Sequence, residues 1–142
     1  MGFPYSRKSE SEFDTGKIAV EFSKLIEDGM IISINGNLGA GKTFFIKRVL
    51  EQFGILNSNS PTFSIINEYF GDKNFYHFDF YRINNEIELL DIGIEDYFNN
   101  DKAILFIEWG NLFLKILPQK RIEININILD DNSRLFNFLE YE

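Results

Sequence analysis

Gly36-Asn37-Leu38-Gly39-Ala40-Gly41-Lys42-Thr43 follows the pattern G-x-x-x-x-G-K-[ST]. Glycines at these positions let the backbone curl so that successive N–H groups turn inward toward an anion. A helix that starts near Lys42 adds its positive end to the same point. Lys42 has the reach for β- and γ-phosphates, and a Thr43 hydroxyl has the chemistry to ligate Mg²⁺. The competing reading is a plain glycine turn between a strand and a helix. The flanks favour a phosphate loop, because an apolar strand is predicted over Met30–Asn35 and a helical pattern runs on to about Phe53, where Gly54 stops it. Asn37, Leu38, Gly39, Ala40, Gly41, Lys42 and Thr43 are therefore the candidate nucleotide-binding residues.

Outward from the loop, the pattern predicts an α/β fold. Upstream lies a polar leader, residues 1–13, and then a helix over about Thr15–Asp28. Its apolar face would be Ile18, Ala19, Phe22, Leu25 and Ile26, with Asp14 as N-cap and Gly29 as stop. Downstream of the polar loop Asn57–Pro61, two strands are expected over Phe63–Phe70 and Phe75–Phe80, around the turn Gly71-Asp72-Lys73-Asn74. Asn84 or Asn85 would cap a short helix holding Ile87, Leu89 and Leu90, and a second short helix falls at Ile94–Phe98. Ala103–Glu108 reads as a buried strand ending in an acid. The tail reads as a hairpin, Arg121–Leu129 and Leu135–Leu139, with Ile122, Ile124, Ile126 and Ile128 on one buried face. Helices interleaved with strands predict a single domain over residues 1–142: a three-layer sandwich whose mixed sheet has a parallel core and a C-terminal antiparallel hairpin.

A phosphate cradle needs acids to complete a Mg²⁺ shell. Asp79, within His77-Phe78-Asp79-Phe80-Tyr81-Arg82, shares a strand face with His77 and Tyr81 by simple alternation. Taken alone, the competing reading is an exposed strand carboxylate or the partner of Arg82. Glu108 closes Ile104-Leu105-Phe106-Ile107-Glu108, the shape of a strand that delivers an acid to a nucleotide, although strand-end charges are common. With the loop in place, the metal set becomes Thr43, Asp79 and Glu108. The catalytic set becomes Lys42, Asp79 and Glu108, with Glu108 polarising the attacking water or sharing the metal. Thr62, in Ser60-Pro61-Thr62, either belongs to a plain turn or senses the γ-phosphate from a switch-like loop. Trp109 is either packing or a stacking surface beside the nucleotide or a partner. His77 reads chiefly as a hydrogen-bonded strand residue. Arg82 contacts phosphate or pairs with a carboxylate.

The chain has 142 residues and a formal net charge of −8. That sign and the lack of a basic cluster argue against direct gripping of nucleic acid through phosphates. Cysteine is absent, which excludes disulfides, thiolate metal sites and cysteine nucleophiles. The apolar run Ala103–Ile107 falls far short of a membrane span, and the N-terminus lacks the apolar stretch of a signal peptide. A cytoplasmic protein with no membrane association is expected.

Gly36–Thr43, Ser60-Pro61-Thr62-Phe63, His77-Phe78-Asp79-Phe80-Tyr81-Arg82 and Ile107-Glu108-Trp109 come in the order and spacing of the TsaE (YjeE) family, which the chain resembles from about Thr15 to Trp109. The resemblance implies ATP as nucleotide, Mg²⁺ as its ion, and ATP hydrolysis in bacterial tRNA threonylcarbamoyladenosine synthesis. It implies a TsaB–TsaD pair as protein partners, with tRNA reached only through them; apart from the resemblance, the chain alone is expected as a monomer. It also implies that Thr62 and Trp109 belong with the loop residues around the nucleotide. Gly110 and Asn111 depart from the family's usual Pro or Ala followed by Glu. Two other functions fit the residues alone: a small kinase, and an adaptor that senses nucleotide without turnover. The kinase is disfavoured by the shortness of the chain and by arginines scattered over Arg7, Arg48, Arg82, Arg121 and Arg134 rather than gathered in a lid.

Overall fold

The run Ala103–Glu108 forms a strand buried at every position, as a strand must be when its sheet is covered on both faces. Around it the computed structural model, which describes residues 2–58 and 64–142, builds one seven-stranded sheet. In chain order the elements are β1 (Tyr5–Ser9), α1 (Glu12–Ser23), β2 (Ile31–Asn35), α2 (Lys42–Glu51), β3 (Ile66–Phe70), β4 (Asn74–Asp79), α3 (Glu86–Asp91), α4 (Ile94–Phe98), β5 (Ala103–Glu108), β6 (Arg121–Ile128) and β7 (Arg134–Tyr141). Short 3-10 turns follow β4 and β5, at Phe80–Arg82 and Gly110–Phe113.

The strand order is β1-β7-β6-β2-β5-β4-β3. The four inner strands β4, β5, β2 and β6 pair in parallel, whereas β3, β7 and β1 are added antiparallel. Helices α1 and α2 cover one face over Phe22, Phe45, Phe106, Phe136 and Phe138. The α3–α4 segment covers the other over Phe78, Leu89, Ile94, Leu105 and Ile107. The expected three-layer α/β sandwich with a parallel core and a terminal hairpin is the observed one. Among the described residues no helix is long and apolar enough to cross a membrane.

Several local expectations give way to tertiary pairing. The polar leader is partly structured: β1 pairs with β7 from Tyr5 opposite Phe138 to Ser9 opposite Arg134, and the Tyr5 ring stacks on Phe138 at 4.4 Å. An edge strand needs only one inward face, here Tyr5, Arg7 and Ser9, and leaves Ser6 and Lys8 exposed on the other, so its composition reads as polar. Helix α1 starts earlier than expected, because Ser11 rather than Asp14 is the N-cap and accepts the Asp14 N–H. It also ends at Ser23, and Gly29 instead donates its N–H to the Ala103 carbonyl at the turn into β2. Strand β4 stops at Asp79, so Tyr81 leaves the face that His77 and Asp79 share. Ile128 is 43% exposed rather than buried, since it lies at the hairpin tip opposite Arg134, beyond the helical cover. The start of the expected strand at Phe63, with Ser60, Pro61 and Thr62, lies outside the described residues.

Phe45, on the first turns of α2, is fully buried against Phe22, Phe136 and Phe138. Truncating it empties a ring-sized volume between both helices and the hairpin. Phe45→Ala should therefore cost about 3–5 kcal/mol of stability, read as a lower urea midpoint at unchanged slope. A loss below about 1 kcal/mol would contradict this packing.

Candidate active site

Strand β2 is buried throughout and runs straight into the loop. Gly41 stands as N-cap of α2 at φ 101°, a left-handed conformation that glycine adopts without strain, and no side chain caps the helix. The N–H groups of the first turn are therefore left to an incoming anion, and the helix dipole favours one there. Lys42 is 6% exposed and folds back over the loop. Its Nζ donates to the carbonyls of Gly36 at 2.5 Å and Asn37 at 3.2 Å, and it lies 4.2 Å from the centre of the Trp109 ring. Burial pushes the Lys42 ammonium below the ordinary lysine range, and the nearby Glu108 and Asp79 carboxylates pull partly in the opposite direction.

The two acids arrive from neighbouring parallel strands. Asp79 ends β4 directly beside Glu108 at the end of β5, with His77 beside Phe106 two residues earlier. Register partners in parallel strands present the same face, here the face covered by α2. Glu108 is 7% exposed. The Thr43 hydroxyl donates to its carboxylate, at 3.2 Å from Oε1 and 3.1 Å from Oε2, and His77 Nε2 lies 2.6 Å from Oε2. A carboxylate can only accept, so that contact places the proton on Nε2. Asp79 is half-buried. Its Oδ1 accepts the Tyr81 N–H at 3.1 Å, which caps the 3-10 turn, and its Oδ2 faces Arg82 Nε at 3.6 Å. Arg82 thus pairs with a carboxylate.

The loop after β5 completes the wall. Trp109 adopts a left-handed backbone at φ 63°, donates its N–H to the Ile34 carbonyl at 3.3 Å and packs its ring 5.0 Å from that of Tyr81. The backbone N–H of Asn111 is held 3.3 Å from Asn35 Oδ1 at the end of β2. Any Cβ at residue 110 would run into the Ser33 hydroxyl, so the close approach of this loop to β2 accounts for glycine after Trp109.

Of the residues singled out in the sequence, Lys42, Thr43, Asp79, Glu108 and Trp109 converge on one edge of the sheet. Leu38 lies on the rim, 68% exposed, and Thr62 falls outside the described residues. His77 and Asn35 are the contributions that the sequence reading undervalued. The signal for His77 was available, since it sits two positions from Asp79 on the same strand face. Asn35 carried none beyond its place next to Gly36. Among the described residues no cluster of three or more His, Cys, Asp or Glu side chains could hold a metal by itself. One hydroxyl and two carboxylates are hard oxygen donors suited to Mg²⁺, which keeps waters and substrate phosphate oxygens in its shell rather than demanding an all-protein cage.

Comparison with known proteins gives this arrangement relatives. Residues 9–136 match the family model described as "Threonylcarbamoyl adenosine biosynthesis protein TsaE". The chain is 38% identical over 128 residues to the tRNA threonylcarbamoyladenosine biosynthesis protein TsaE of Rickettsia typhi, covering 88% of each chain. It is 39% identical over 127 residues to the TsaE protein of Bacillus subtilis, covering 88% of this chain and 78% of that one. The crystal structure of Bacillus subtilis YdiB superposes with a TM-score of 0.82 at 31% identity, covering 100% of this chain and 88% of the other. The loop, the two strand-end acids and the sheet that presents them are those of a chain that belongs to the TsaE family, whose name is that of tRNA threonylcarbamoyladenosine biosynthesis.

Proposed function

We propose that this chain binds ATP with Mg²⁺ and hydrolyses it as the ATPase component of tRNA threonylcarbamoyladenosine synthesis. It acts in the cytoplasm as a monomer that engages TsaB–TsaD, and the tRNA is handled by those partners. The observation that carries this reading is the Thr43–Glu108–His77 chain of contacts directly behind the phosphate loop. A buried, doubly held carboxylate there supports the reading of Glu108 as the group that faces a γ-phosphate and its attacking water.

In this reading the triphosphate lies along the N–H groups of residues 39–43, and the Lys42 ammonium exchanges the Gly36 and Asn37 carbonyls for phosphate oxygens. Thr43, Asp79 and Glu108 would hold Mg²⁺, which when bound neutralises charge on the β- and γ-phosphate oxygens. Glu108 orients a water and takes its proton as the water oxygen bonds to the γ-phosphorus. The bond from that phosphorus to the bridging oxygen breaks, and ADP leaves with the electron pair. His77 keeps the carboxylate from rotating away, and Trp109 excludes water from the lysine. Each arginine already has a carboxylate or carbonyl partner: Arg7 with Glu21, Arg48 with Glu51, Arg82 with Asp79, Arg121 with Glu123 and Arg134 with the loop. With its own arginines engaged in this way, the chain is expected to take the arginine that stabilises the transferring phosphoryl group from a partner. Supplied in trans, such a group raises turnover by ~10³-fold or more. Slow hydrolysis alone and fast hydrolysis with TsaB and TsaD is the expected pattern, and equal turnover with and without them would contradict it.

Glu108→Gln preserves shape and hydrogen bonding but removes the base. ATP affinity should stay within about threefold while partner-stimulated turnover falls at least ~10²-fold. Retained turnover would make the chain a nucleotide-sensing adaptor instead.

Lys42→Ala should weaken ATP binding about a hundredfold by calorimetry. In the wild type only the protonated amine attracts phosphate, so affinity is full below the Lys42 pKa and falls as pH rises through it. Because that pKa is lowered, the fall should begin below the usual lysine value of 10.5. Affinity that stays flat through that pH would contradict the lysine–phosphate contact.

A further inference from the structure

The β6–β7 hairpin is an antiparallel addition to the sheet, yet its turn reaches back to the phosphate loop. Arg134, the first residue of β7, directs its guanidinium at the loop's outer side. Nε donates to the Ala40 carbonyl at 3.3 Å and Nη2 to the Gly39 carbonyl at 3.2 Å. We propose that Arg134 is a positioning residue for nucleotide binding, a guanidinium fork that holds two consecutive loop carbonyls outward and so keeps the Gly41 N–H turned toward phosphate. The proposal rests on the reading of this loop as a triphosphate cradle.

The physical basis is the planarity of the peptide unit. In a trans peptide the carbonyl and the following N–H point in opposite directions. Fixing the Ala40 carbonyl outward therefore fixes the Gly41 N–H inward, toward the hollow where an anion sits. The neighbouring plane is doubly held: its carbonyl belongs to Gly39, and its Ala40 N–H closes a turn on the Asn37 carbonyl at 3.0 Å. Without such a hold the loop can flip these planes, since Gly39 and Gly41 flank them at φ values of 82° and 101° that glycine leaves easily. A rigid planar fork suits two adjacent carbonyls, whereas an ammonium is a point donor.

Arg134 is itself anchored. Its Nη1 donates to the Asn132 carbonyl of the hairpin turn. That turn is tied by Asp131 Oδ1, which accepts from the Ser133 N–H at 3.1 Å and from its hydroxyl at 2.5 Å. Lys8 of β1 adds an ion pair to Asp131 at 3.5 Å. The guanidinium is thus held from the turn below and reaches the loop above. It also lines a cavity of about 390 Å³ shared with Ser11, Thr15, Gly41 and Phe44. A direct contact with the nucleoside end of a bound nucleotide is the competing explanation for any effect of its loss.

The experiment compares Arg134→Ala, Arg134→Lys and, as a control that loosens the hairpin turn without touching the loop, Lys8→Ala. Calorimetry measures the affinity of each for ATP and for inorganic tripolyphosphate, which has no base or sugar. Arg134→Ala should weaken both ligands by the same factor, about tenfold or more. Arg134→Lys, able to meet only one carbonyl, should fall between, and Lys8→Ala should stay within about threefold. The inference is overturned if Arg134→Ala weakens ATP alone, which assigns the arginine to the nucleoside. It is equally overturned if Lys8→Ala matches Arg134→Ala, or if wild type and Arg134→Ala bind alike. Should Arg134→Ala fail to fold, Arg134→Lys carries the same comparison. A wild type that binds neither ligand would remove the proposed function itself, and the inference with it.

Discussion

The parallel pairing of β2 with β5, Ile34 beside Glu108, is the constraint on which the rest of the site depends. It brings the end of the strand that feeds the glycine loop and the end of the strand that carries the acid out at the same edge of the sheet. It also sets the face. Side chains alternate along a strand, so a slip of one residue would turn Glu108 away from α2 and into the α3–α4 layer. The pairing of β4 with β5 repeats the device and sets Asp79 beside Glu108. A binding crevice at the carboxyl ends of parallel strands is the general consequence of this architecture.

The second feature is electrostatic. A buried ammonium and a buried carboxylate are both costly unless each is hydrogen-bonded. Lys42 satisfies its charge with two loop carbonyls and the face of Trp109, and Glu108 satisfies its own with Thr43 and His77. Neither is committed to the other by a direct ion pair, so each can take a new partner without first separating from an opposite charge. Loop carbonyls and a ring face are modest partners for an ammonium, and a polyphosphate is a much stronger one. The hairpin turn contributes from the far side, where a second cation, Arg134, faces the loop's outward carbonyls.

Much of this was legible in the sequence because it is local. The glycine pattern, the apolar strand before it, the helix after it and the acid ending Ala103–Glu108 each follow from composition and period within a few residues. The order of the strands does not, and neither do the features that depend on it. β1 looks like a polar leader because only its pairing with β7 makes it a strand. Ser11 and Asp14 are both good caps, and the choice between them is settled by where β1 ends and the chain must turn. Tyr81 follows strand alternation on paper, but Asp79 caps a 3-10 turn and ends the strand first. His77, Asn35 and Arg134 matter through partners that are 31, 76 and 94 residues away in the chain. No periodicity reports contacts of that range.

The most direct measurement is a crystal structure with a non-hydrolysable ATP analogue and Mg²⁺. The expected result places the triphosphate against the N–H groups of residues 39–43, with Lys42 Nζ moved from the Gly36 carbonyl to a phosphate oxygen and the Glu108 carboxylate facing the γ-phosphate. A triphosphate bound elsewhere, or Lys42 still on the Gly36 carbonyl beside a bound analogue, would contradict the assignment of this loop and these acids to nucleotide chemistry.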